Sequence, residues 1–171
     1  YGPLDTLKYK EVDLPEINNT GDILIKVFSS GVNFPDGLLV QGKYQHKPLV
    51  PFTPGMEVSG VVTKIGSEVT EFEIGERVAG LSQLGGYSEY IVLNKNSVYK
   101  IPLKMNYDQA CALLCAYGTS HYALKQRAQL KKGDTLVVLG ASGSTGVAAI
   151  QIGKIMGAKV IAASSSVEKQ N

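Results

Sequence analysis

The feature that most constrains the fold is a strand, a turn, a helix and a second strand in succession over residues 135–169. Thr135–Leu139 is mostly apolar and has no polar face, which predicts a strand buried on both faces. Helix-forming residues follow over Val147–Met156, and Gly157 stands where a helix C-terminal glycine is common. Lys159–Ala163 predicts the second strand. A helix that connects two neighbouring strands predicts a parallel pair, which is the βαβ unit.

The turn between the first strand and this helix is rich in glycine, and residues Gly140–Gly146 are called the glycine turn below. Gly143 would let the backbone approach a pyrophosphate, and Gly146 would let the helix pack closely on the strand. Ala141 occupies the place of the first glycine in the dinucleotide-binding pattern, so the strict pattern is broken. Two interpretations remain, a cofactor site at a helix N-terminus and a purely structural turn. The flanking strands and helix favour the cofactor site.

Composition excludes several classes of protein. The chain is 44% hydrophobic and 19% charged, which is typical of a globular protein, and its 171 residues suit one large domain or one and a half small ones. A net charge of +2 gives no argument for nucleic acid as a partner. Cys111 and Cys115 lie four residues apart in a predicted helix, which argues against a disulfide framework and suits a reducing compartment. The sequence contains no apolar run long enough to cross a bilayer, and no signal peptide opens it, so it predicts no membrane partner. The predicted location is the cytoplasm or the mitochondrial matrix.

The character of the sequence changes near Pro102–Asn106. Before this point it predicts short strands at Leu7–Leu14, Ile23–Ser30, Met56–Ile65, Arg77–Gly80, Tyr87–Leu93 and Val98–Ile101, with a clear turn at 18–22. After it, the pattern predicts helices at Tyr107–Leu114 and Thr119–Ala128, followed by the βαβ unit. We therefore expect a β-rich domain over residues 1–104 and an α/β domain over residues 105–171.

Three motifs occur in order in the β-rich part. They are Gly31-Val32-Asn33-Phe34-Pro35-Asp36, then Gly42-Lys43-Tyr44, then Pro54-Gly55-Met56-Glu57-Val58-Ser59-Gly60. Together with the glycine turn, this succession resembles the medium-chain dehydrogenase/reductase superfamily, and within it the NADPH:quinone oxidoreductase-like (zeta-crystallin-like) branch. The resemblance extends from about Leu14 to Lys169. It implies a mixed fold, a GroES-like β-rich domain followed by the first βαβ part of a Rossmann domain, with the active site in the cleft between the two domains.

The resemblance also assigns site residues. It implies that Asn33 and Tyr44 are catalytic and lie beside the nicotinamide and substrate. Taken alone, Asn33 is better explained by local capping, and only the resemblance reverses this preference. Tyr44 taken alone could be a half-buried loop aromatic. Asp36 is interpreted as an acid of a turn or helix start, and Glu57 as a structurally paired group. The implied cofactor contacts are Asn33, Tyr44, Thr119, Gly143, Ser144, Thr145, Gly146, Val147, Ser165, Ser166 and Lys169.

The end of the second predicted strand favours NADPH over NADH. NAD-preferring sites carry Asp or Glu there to bind the ribose 2′-hydroxyl, whereas this chain has Ala163-Ser164-Ser165-Ser166. Serine hydroxyls suit a 2′-phosphate. Lys169 would add a counter-charge, as the matching Lys does in quinone reductases, although a solvated surface Lys is the plain alternative.

The sequence predicts no metal. The positions that match the catalytic ligands of zinc-dependent relatives are Asn33, Met56 and Cys115, and an amide and a thioether are poor zinc ligands. A short turn over Ser82–Gly86 replaces the four-cysteine structural zinc lobe.

The function implied is zinc-independent, NADPH-dependent hydride transfer to a quinone or an α,β-unsaturated carbonyl, an enone or enal. The alternative is an NADPH-binding protein with a structural or regulatory role and little turnover, because a fold does not dictate a function. A zinc-type alcohol dehydrogenase ranks third for the ligand reasons above. The resemblance also implies a homodimer when the protein is full length.

The chain itself is expected to be incomplete. It lacks an initiator Met, Leu4–Leu14 resembles the second limb of a hairpin without its first strand, and few residues follow the βαβ unit. We therefore expect this length of chain to be inactive alone. The alternative is a free-standing GroES-like domain with a short α/β tail.

Overall fold

The computed structural model describes residues 1–165, which form two compact units. The first unit is Tyr1–Ala112 and the second begins at Leu113. The strands and helices, in chain order, are β1 Asp22–Ser30, α1 Phe34–Val40, β2 Glu57–Ile65, β3 Arg77–Leu81, β4 Tyr90–Asn94, β5 Val98–Lys100, α2 Tyr107–His121, β6 Thr135–Leu139, α3 Ser144–Ile155 and β7 Lys159–Ala163. Within the described part of the chain, no helix is both long and apolar enough to cross a bilayer.

The first unit is built on one antiparallel sheet with the strand order β4-β1-β2-β3-β5. β1 and β2 are rich in Ile and Val, which suit a pleated surface with a buried face. Gly60 lies opposite Val27, where the register of β1 against β2 shifts. A Cβ at Gly60 would overlap the carbonyl oxygen of Lys26, so only glycine permits this close approach of the two strands.

One apolar cluster fills this unit. Its central side chains are 0 or 1% exposed, and the loop residues Val69 and Phe72 close one side of it. The buried members are Ile23, Ile25, Val58, Val62, Val69, Phe72, Val78, Ile91, Leu93 and Val98. The core therefore joins four strands of the sheet to the β5 edge and fixes the positions at which β1 ends and β2 begins.

The second unit contains a parallel pair of strands, β6 and β7, that α3 connects. This confirms the predicted βαβ unit. Gly157 has φ of +82° after the end of α3, which confirms it as the helix C-terminal glycine. Leu136 and Val160 lie on the face that α3 covers, since a Cβ at Gly153 would come 2.6 Å and 3.2 Å from their methyl groups.

Four sequence-based predictions about the secondary structure need correction. The expected strand at Leu7–Leu14 does not form. Among the described residues, the edge strands of the sheet are β4 and β5, and Leu7–Leu14 is hydrogen-bonded to neither of them as a strand. β6 is not buried on both faces, since α3 covers one face and the other remains exposed. Helix α1 was not predicted. The two helices expected after residue 106 are instead one helix, α2, which runs on into a π-helical segment at Tyr122–Arg127.

Local hydrogen bonds explain why α2 begins where it does. The Asn106 side chain accepts a hydrogen bond from the backbone N–H of Gln109 at 2.8 Å, and the Gln109 side chain accepts from the Asn106 N–H at 3.3 Å. This reciprocal pair satisfies two N–H groups at the helix start. The residues that follow include three Ala and two Leu, which are good helix formers.

Candidate functional site

The first candidate region is a set of hydrogen-bonded polar side chains where β1 passes into α1 and β2 begins. It is called the amide–carboxylate cluster and consists of Asn33, Asp36, Glu57 and Tyr87. Asp36 and Glu57 are each 3% exposed, so their carboxylates depend on partners within the protein. All four residues belong to the first compact unit.

Asp36 is the most connected member of the amide–carboxylate cluster. Its carboxylate accepts hydrogen bonds from the Asn33 backbone N–H at 2.8 Å, the Tyr87 hydroxyl at 3.0 Å and the Gly55 backbone N–H at 3.3 Å. Asn33 is the N-cap of α1 and Asp36 the third helical residue, so the bond to the Asn33 N–H is half of a capping box. This confirms the interpretation of Asp36 as a helix-start acid.

Gly55 makes room for this arrangement. Its φ is +103°, and a Cβ there would come 2.6 Å from the ring and backbone of Tyr87. The Tyr87 hydroxyl is therefore held against Asp36. Burial, with the hydrogen bond to Asp36 next, raises the pKa of the Tyr87 hydroxyl. Tyr87 remains a protonated donor to Asp36 at neutral pH.

The Asn33 side chain, at the start of α1, also contacts β2. Its Nδ2 donates to Glu57 Oε1 at 2.8 Å. Asn33 is the N-cap of α1 and belongs to its capping box, which agrees with the local-capping interpretation of this residue. Glu57 is confirmed as a structurally paired group. The contact of Asn33 with a cofactor stays a prediction.

Tyr44, the second predicted catalytic residue, lies half-buried in the loop that follows α1. The turn before it is tight: Gly42 has φ of +67°, and the Lys43 backbone N–H donates to the Leu38 carbonyl at 2.8 Å. This turn follows the end of α1 directly and places Tyr44 four residues after Val40, the last residue of the helix. The catalytic role of Tyr44 stays a prediction.

Cys111 lies behind β2 and is 2% exposed. Its thiol donates to the Glu57 backbone carbonyl at 3.4 Å. Burial, helped by the nearby Glu57 carboxylate, raises the pKa of Cys111 to about 12. The thiol therefore stays protonated near neutral pH in the free protein. Across residues 1–165, no group of three or more His, Cys, Asp or Glu side chains could hold a metal ion.

The second candidate region is the glycine turn of the βαβ unit. Gly143 is the N-cap of α3, it has no side chain to cap the helix, and the first turn carries no acidic residue. The first backbone N–H groups of α3 border an open depression of about 320 Å³, lined by Val138, Leu139, Gly140, Gly143, Ser144, Thr145, Gly146 and Ala149. Uncapped N–H groups and the positive end of the helix dipole fit an anion such as a pyrophosphate.

The glycines of this turn have different reasons to be glycine. A Cβ at Gly146 would come 2.5 Å from the Gly140 carbonyl oxygen and 2.9 Å from Ala141, which confirms the predicted close approach. Gly143 has φ of −76°, and a Cβ there would meet only the Gly140 carbonyl oxygen, at 3.5 Å. Neither its backbone nor the packing of the described residues requires glycine at 143.

Ser120 is a residue near the glycine turn that the sequence did not indicate. It is 2% exposed, and its hydroxyl donates to the Thr145 carbonyl at 2.9 Å. It thereby ties α2 to the first turn of α3. Thr119, the neighbour that was predicted to contact the cofactor, is exposed. A small polar residue within an apolar helix was the only signal that could have identified Ser120.

The structure leaves some predicted contacts undecided. Ser144, Thr145 and Val147 lie in the first turn of α3, as expected for residues at a pyrophosphate. Ser165 is exposed and lies two residues beyond the end of β7. Ser166 and Lys169 lie outside the described residues.

Comparison with known proteins places both regions in a family context. Residues 19–103 match the alcohol dehydrogenase GroES-like domain family. The chain is 44% identical over 147 residues to the quinone oxidoreductase-like protein 2 homolog of Nematostella vectensis, a match that covers 85% of this chain and 40% of the relative. The chain spans about half the length of the curated relatives it matches.

Solved structures agree with this match. The chain superposes on the Pseudomonas syringae quinone oxidoreductase with a TM-score of 0.91 and 36% identity, over 98% of this chain and 51% of the other. It superposes on the Escherichia coli quinone oxidoreductase complexed with NADPH with a TM-score of 0.91 and 29% identity, over 99% and 51% of the two chains. The predicted fold class is confirmed: a GroES-like β-rich domain precedes the first βαβ part of a Rossmann domain.

Proposed function

Because the chain belongs to the medium-chain dehydrogenase/reductase superfamily, in its quinone oxidoreductase-like branch, we propose that the protein is an NADPH-dependent oxidoreductase. The proposed reaction is the transfer of hydride to a quinone or an α,β-unsaturated carbonyl compound, without zinc. The observation that carries the proposal is Gly143, a glycine that neither backbone nor packing requires, at the uncapped start of α3. A bound pyrophosphate would supply the missing reason for a residue without a side chain.

Each group of residues has a separate part in this proposal. The glycine turn binds the pyrophosphate through backbone N–H groups, and the hydroxyl of Ser165 contributes to the 2′-phosphate site, where a carboxylate would repel it. Asn33 and Tyr44 contact the nicotinamide end and the substrate. Bound NADPH would supply the hydride, and these residues would orient it and exclude water.

A metal is not needed for this chemistry. A quinone or an activated alkene accepts hydride without a Lewis acid, whereas an alcohol must first be polarised. The Asn33 amide, at the position of a zinc ligand in zinc-dependent relatives, is instead engaged with Glu57. Homodimerisation and a cytoplasmic or mitochondrial location stay predictions.

The proposal is tested on the full-length protein with Gly143→Val. A Cβ at position 143 fits the backbone conformation and meets only the Gly140 carbonyl oxygen, at 3.5 Å, which is an ordinary contact, so the protein should fold normally. In the pyrophosphate site it should weaken NADPH binding by about tenfold or more, which is about 1.4 kcal/mol. The measurement is NADPH affinity by calorimetry, alongside NADPH oxidation with a panel of quinones and enals.

Gly118→Val is the matched control, since Gly118 is exposed on α2 with no atom within 4 Å of an added Cβ. It should leave NADPH affinity unchanged. Tight NADPH binding without turnover of any acceptor would favour a structural or regulatory role instead. Equal affinity for NADH and NADPH, or stoichiometric zinc by elemental analysis, would overturn the corresponding part of the proposal.

A further inference from the structure

The contact between Asn33 and Glu57 carries an inference that rests on the proposed function and extends it. We propose that Glu57 is a positioning residue: it fixes the orientation of the Asn33 side-chain amide, so that Asn33 Oδ1 is the atom that accepts a hydrogen bond from the nicotinamide nucleoside. The ligand group is an N–H or O–H donor, either the carboxamide of the nicotinamide or a hydroxyl of its ribose.

The chemistry of the two side chains decides the orientation. A carboxylate can only accept hydrogen bonds, whereas the two ends of a carboxamide differ, one donating and the other accepting. The observed bond, Asn33 Nδ2 to Glu57 Oε1 at 2.8 Å, is the one arrangement that satisfies both groups. The flipped amide would bring two oxygens together beside a carboxylate that is 3% exposed. The oxygen of Asn33 is therefore the end of the amide that faces away from Glu57, and it is the atom that the proposal assigns to the ligand.

Contacts of both its main chain and its side chain fix the position of Glu57, as a residue that orients Asn33 requires. Gly31 donates its backbone N–H to the Glu57 carbonyl at 3.1 Å, and the Cys111 thiol donates to the same oxygen at 3.4 Å. A Cβ at Gly31 would overlap the Glu57 carboxylate, so the side chain occupies space that only a glycine leaves open. Both the main chain and the side chain of Glu57 are thus fixed beside Asn33.

The main chain of Asn33 is held separately. Asp36 accepts the Asn33 backbone N–H at 2.8 Å and is itself fixed by Gly55 and Tyr87. Asp36 therefore sets where Asn33 lies, and Glu57 sets which end of its amide points to the ligand. A quinone carbonyl is an acceptor and does not pair with Asn33 Oδ1, so this oxygen recognises the cofactor rather than the substrate.

The test is a double-mutant cycle in the full-length protein, with Asn33→Ala, Glu57→Gln and both changes together. Gln has the shape of Glu, but its amide can pair with either end of the Asn33 amide, so the preferred orientation is lost. Glu57→Gln should weaken NADPH binding by about fivefold in the unmodified protein and have no effect in the Asn33→Ala protein. A merely structural Glu57 would give the same loss in both backgrounds, and that result would overturn the proposal.

Ser59→Ala is the matched control. Ser59 lies two residues along β2, is 0% exposed, and donates its hydroxyl to the Tyr107 carbonyl at 2.6 Å. Any effect of this change should be the same with and without Asn33→Ala.

A cofactor analogue identifies the donor. The acetylpyridine analogue of NADPH has a methyl ketone in place of the carboxamide and so lacks its N–H groups. If the carboxamide is the donor, the unmodified protein should prefer NADPH over the analogue, and both Asn33→Ala and Glu57→Gln should reduce this preference. If the double-mutant cycle shows coupling between Asn33 and Glu57 but the protein binds NADPH and the analogue equally well, the donor is a ribose hydroxyl.

A measurement without ligand keeps this inference separate from the proposed function. In the nitrogen-labelled free protein, the Asn33 side-chain amide resonances are identified by their loss in Asn33→Ala. Glu57→Gln should shift them and speed their exchange with solvent, and Ser59→Ala should not. A protein that neither binds nor oxidises NADPH would contradict the proposed function. Asn33 side-chain resonances that do not change in Glu57→Gln would contradict the positioning role of Glu57.

Discussion

The two sheets of this protein are made of similar residues but bury them to different extents. In the five-stranded antiparallel sheet, Ile25 and Val78 are 0% exposed. In the two-stranded parallel sheet, Leu139 is 80% exposed and Ile161 46%. An apolar strand is therefore not in itself a buried strand.

The difference lies in what covers each sheet. The antiparallel strands curl around a shared cluster, and the loop residues Val69 and Phe72 close it. The parallel pair has one covering element among the described residues, α3, which packs on the face of Leu136 and Val160. Burial is decided by the number of elements that reach a face, and a single crossover helix reaches only one.

The candidate sites differ in the same way. The amide–carboxylate cluster lies within the well-packed unit, and its two buried carboxylates accept hydrogen bonds from the protein itself. The glycine turn presents uncapped N–H groups to an open depression. The first region is suited to holding side chains in one orientation, and the second to taking up an anion.

The largest expected effect of this contrast comes from matched isoleucine truncations. Ile25→Ala should reduce the free energy of unfolding of the first unit by about 4 kcal/mol, since it leaves a cavity in the core. Ile161→Ala should change the stability of the second unit by less than about 0.5 kcal/mol, because the side chain is already half exposed. Native-state hydrogen exchange of amides in β1 and β7 resolves the two units. Similar losses in both would break the comparison.

A second pair of variants compares two glycines, one in each unit, at which a neighbouring group lies close to the Cα atom. Gly60→Ala should cost about 3 kcal/mol, because the new methyl group would overlap the backbone carbonyl of Lys26, which cannot move without disturbing the sheet. Gly153→Ala should cost less than about 1 kcal/mol, since the Leu136 methyl group in its way can shift and alanine favours the helix. Denaturant unfolding of both variants against the unmodified protein tests the ranking, and an equal cost would contradict it.

The smallest expected effect at mildly alkaline pH, up to about pH 9, is a pH dependence that belongs to the first unit. The Cys111 thiol keeps its proton in the folded protein up to a pKa of about 12, whereas the unfolded chain releases it near about pH 8.5. Folding is therefore unaffected by this group below about pH 8.5 and loses up to about 1.4 kcal/mol per pH unit above it.

Cys111→Ser removes the titrating group and should flatten the alkaline decline of stability by that amount. The raised pKa of Tyr87 contributes equally to both proteins, so the difference in slope isolates Cys111. Urea unfolding at several alkaline pH values gives the slopes. Parallel slopes would show that the interior around Cys111 admits water.

Local sequence patterns determined much of this fold. Short segments of apolar and β-branched residues between turn signals predicted each of the strands β1 to β7 to within a few residues, because residues of this kind favour extended backbone. Gly157 marked the end of α3 through its positive φ. The glycine turn and Gly146 were identified because a tight strand-to-helix turn admits few other residues.

Tertiary structure decided the rest. Leu7–Leu14 has the composition of a strand, but a strand exists only with a hydrogen-bonded neighbour, and none of the described strands pairs with it. Helix α1 depends on the Asp36 carboxylate, which is held by Gly55 and Tyr87 from distant parts of the chain. The pairing of Asn33 with Glu57 spans 24 positions. The sequence alone could name both residues, but only the folded sheet could bring the amide to the carboxylate, because side-chain partners across elements depend on how the elements pack and not on their spacing along the chain.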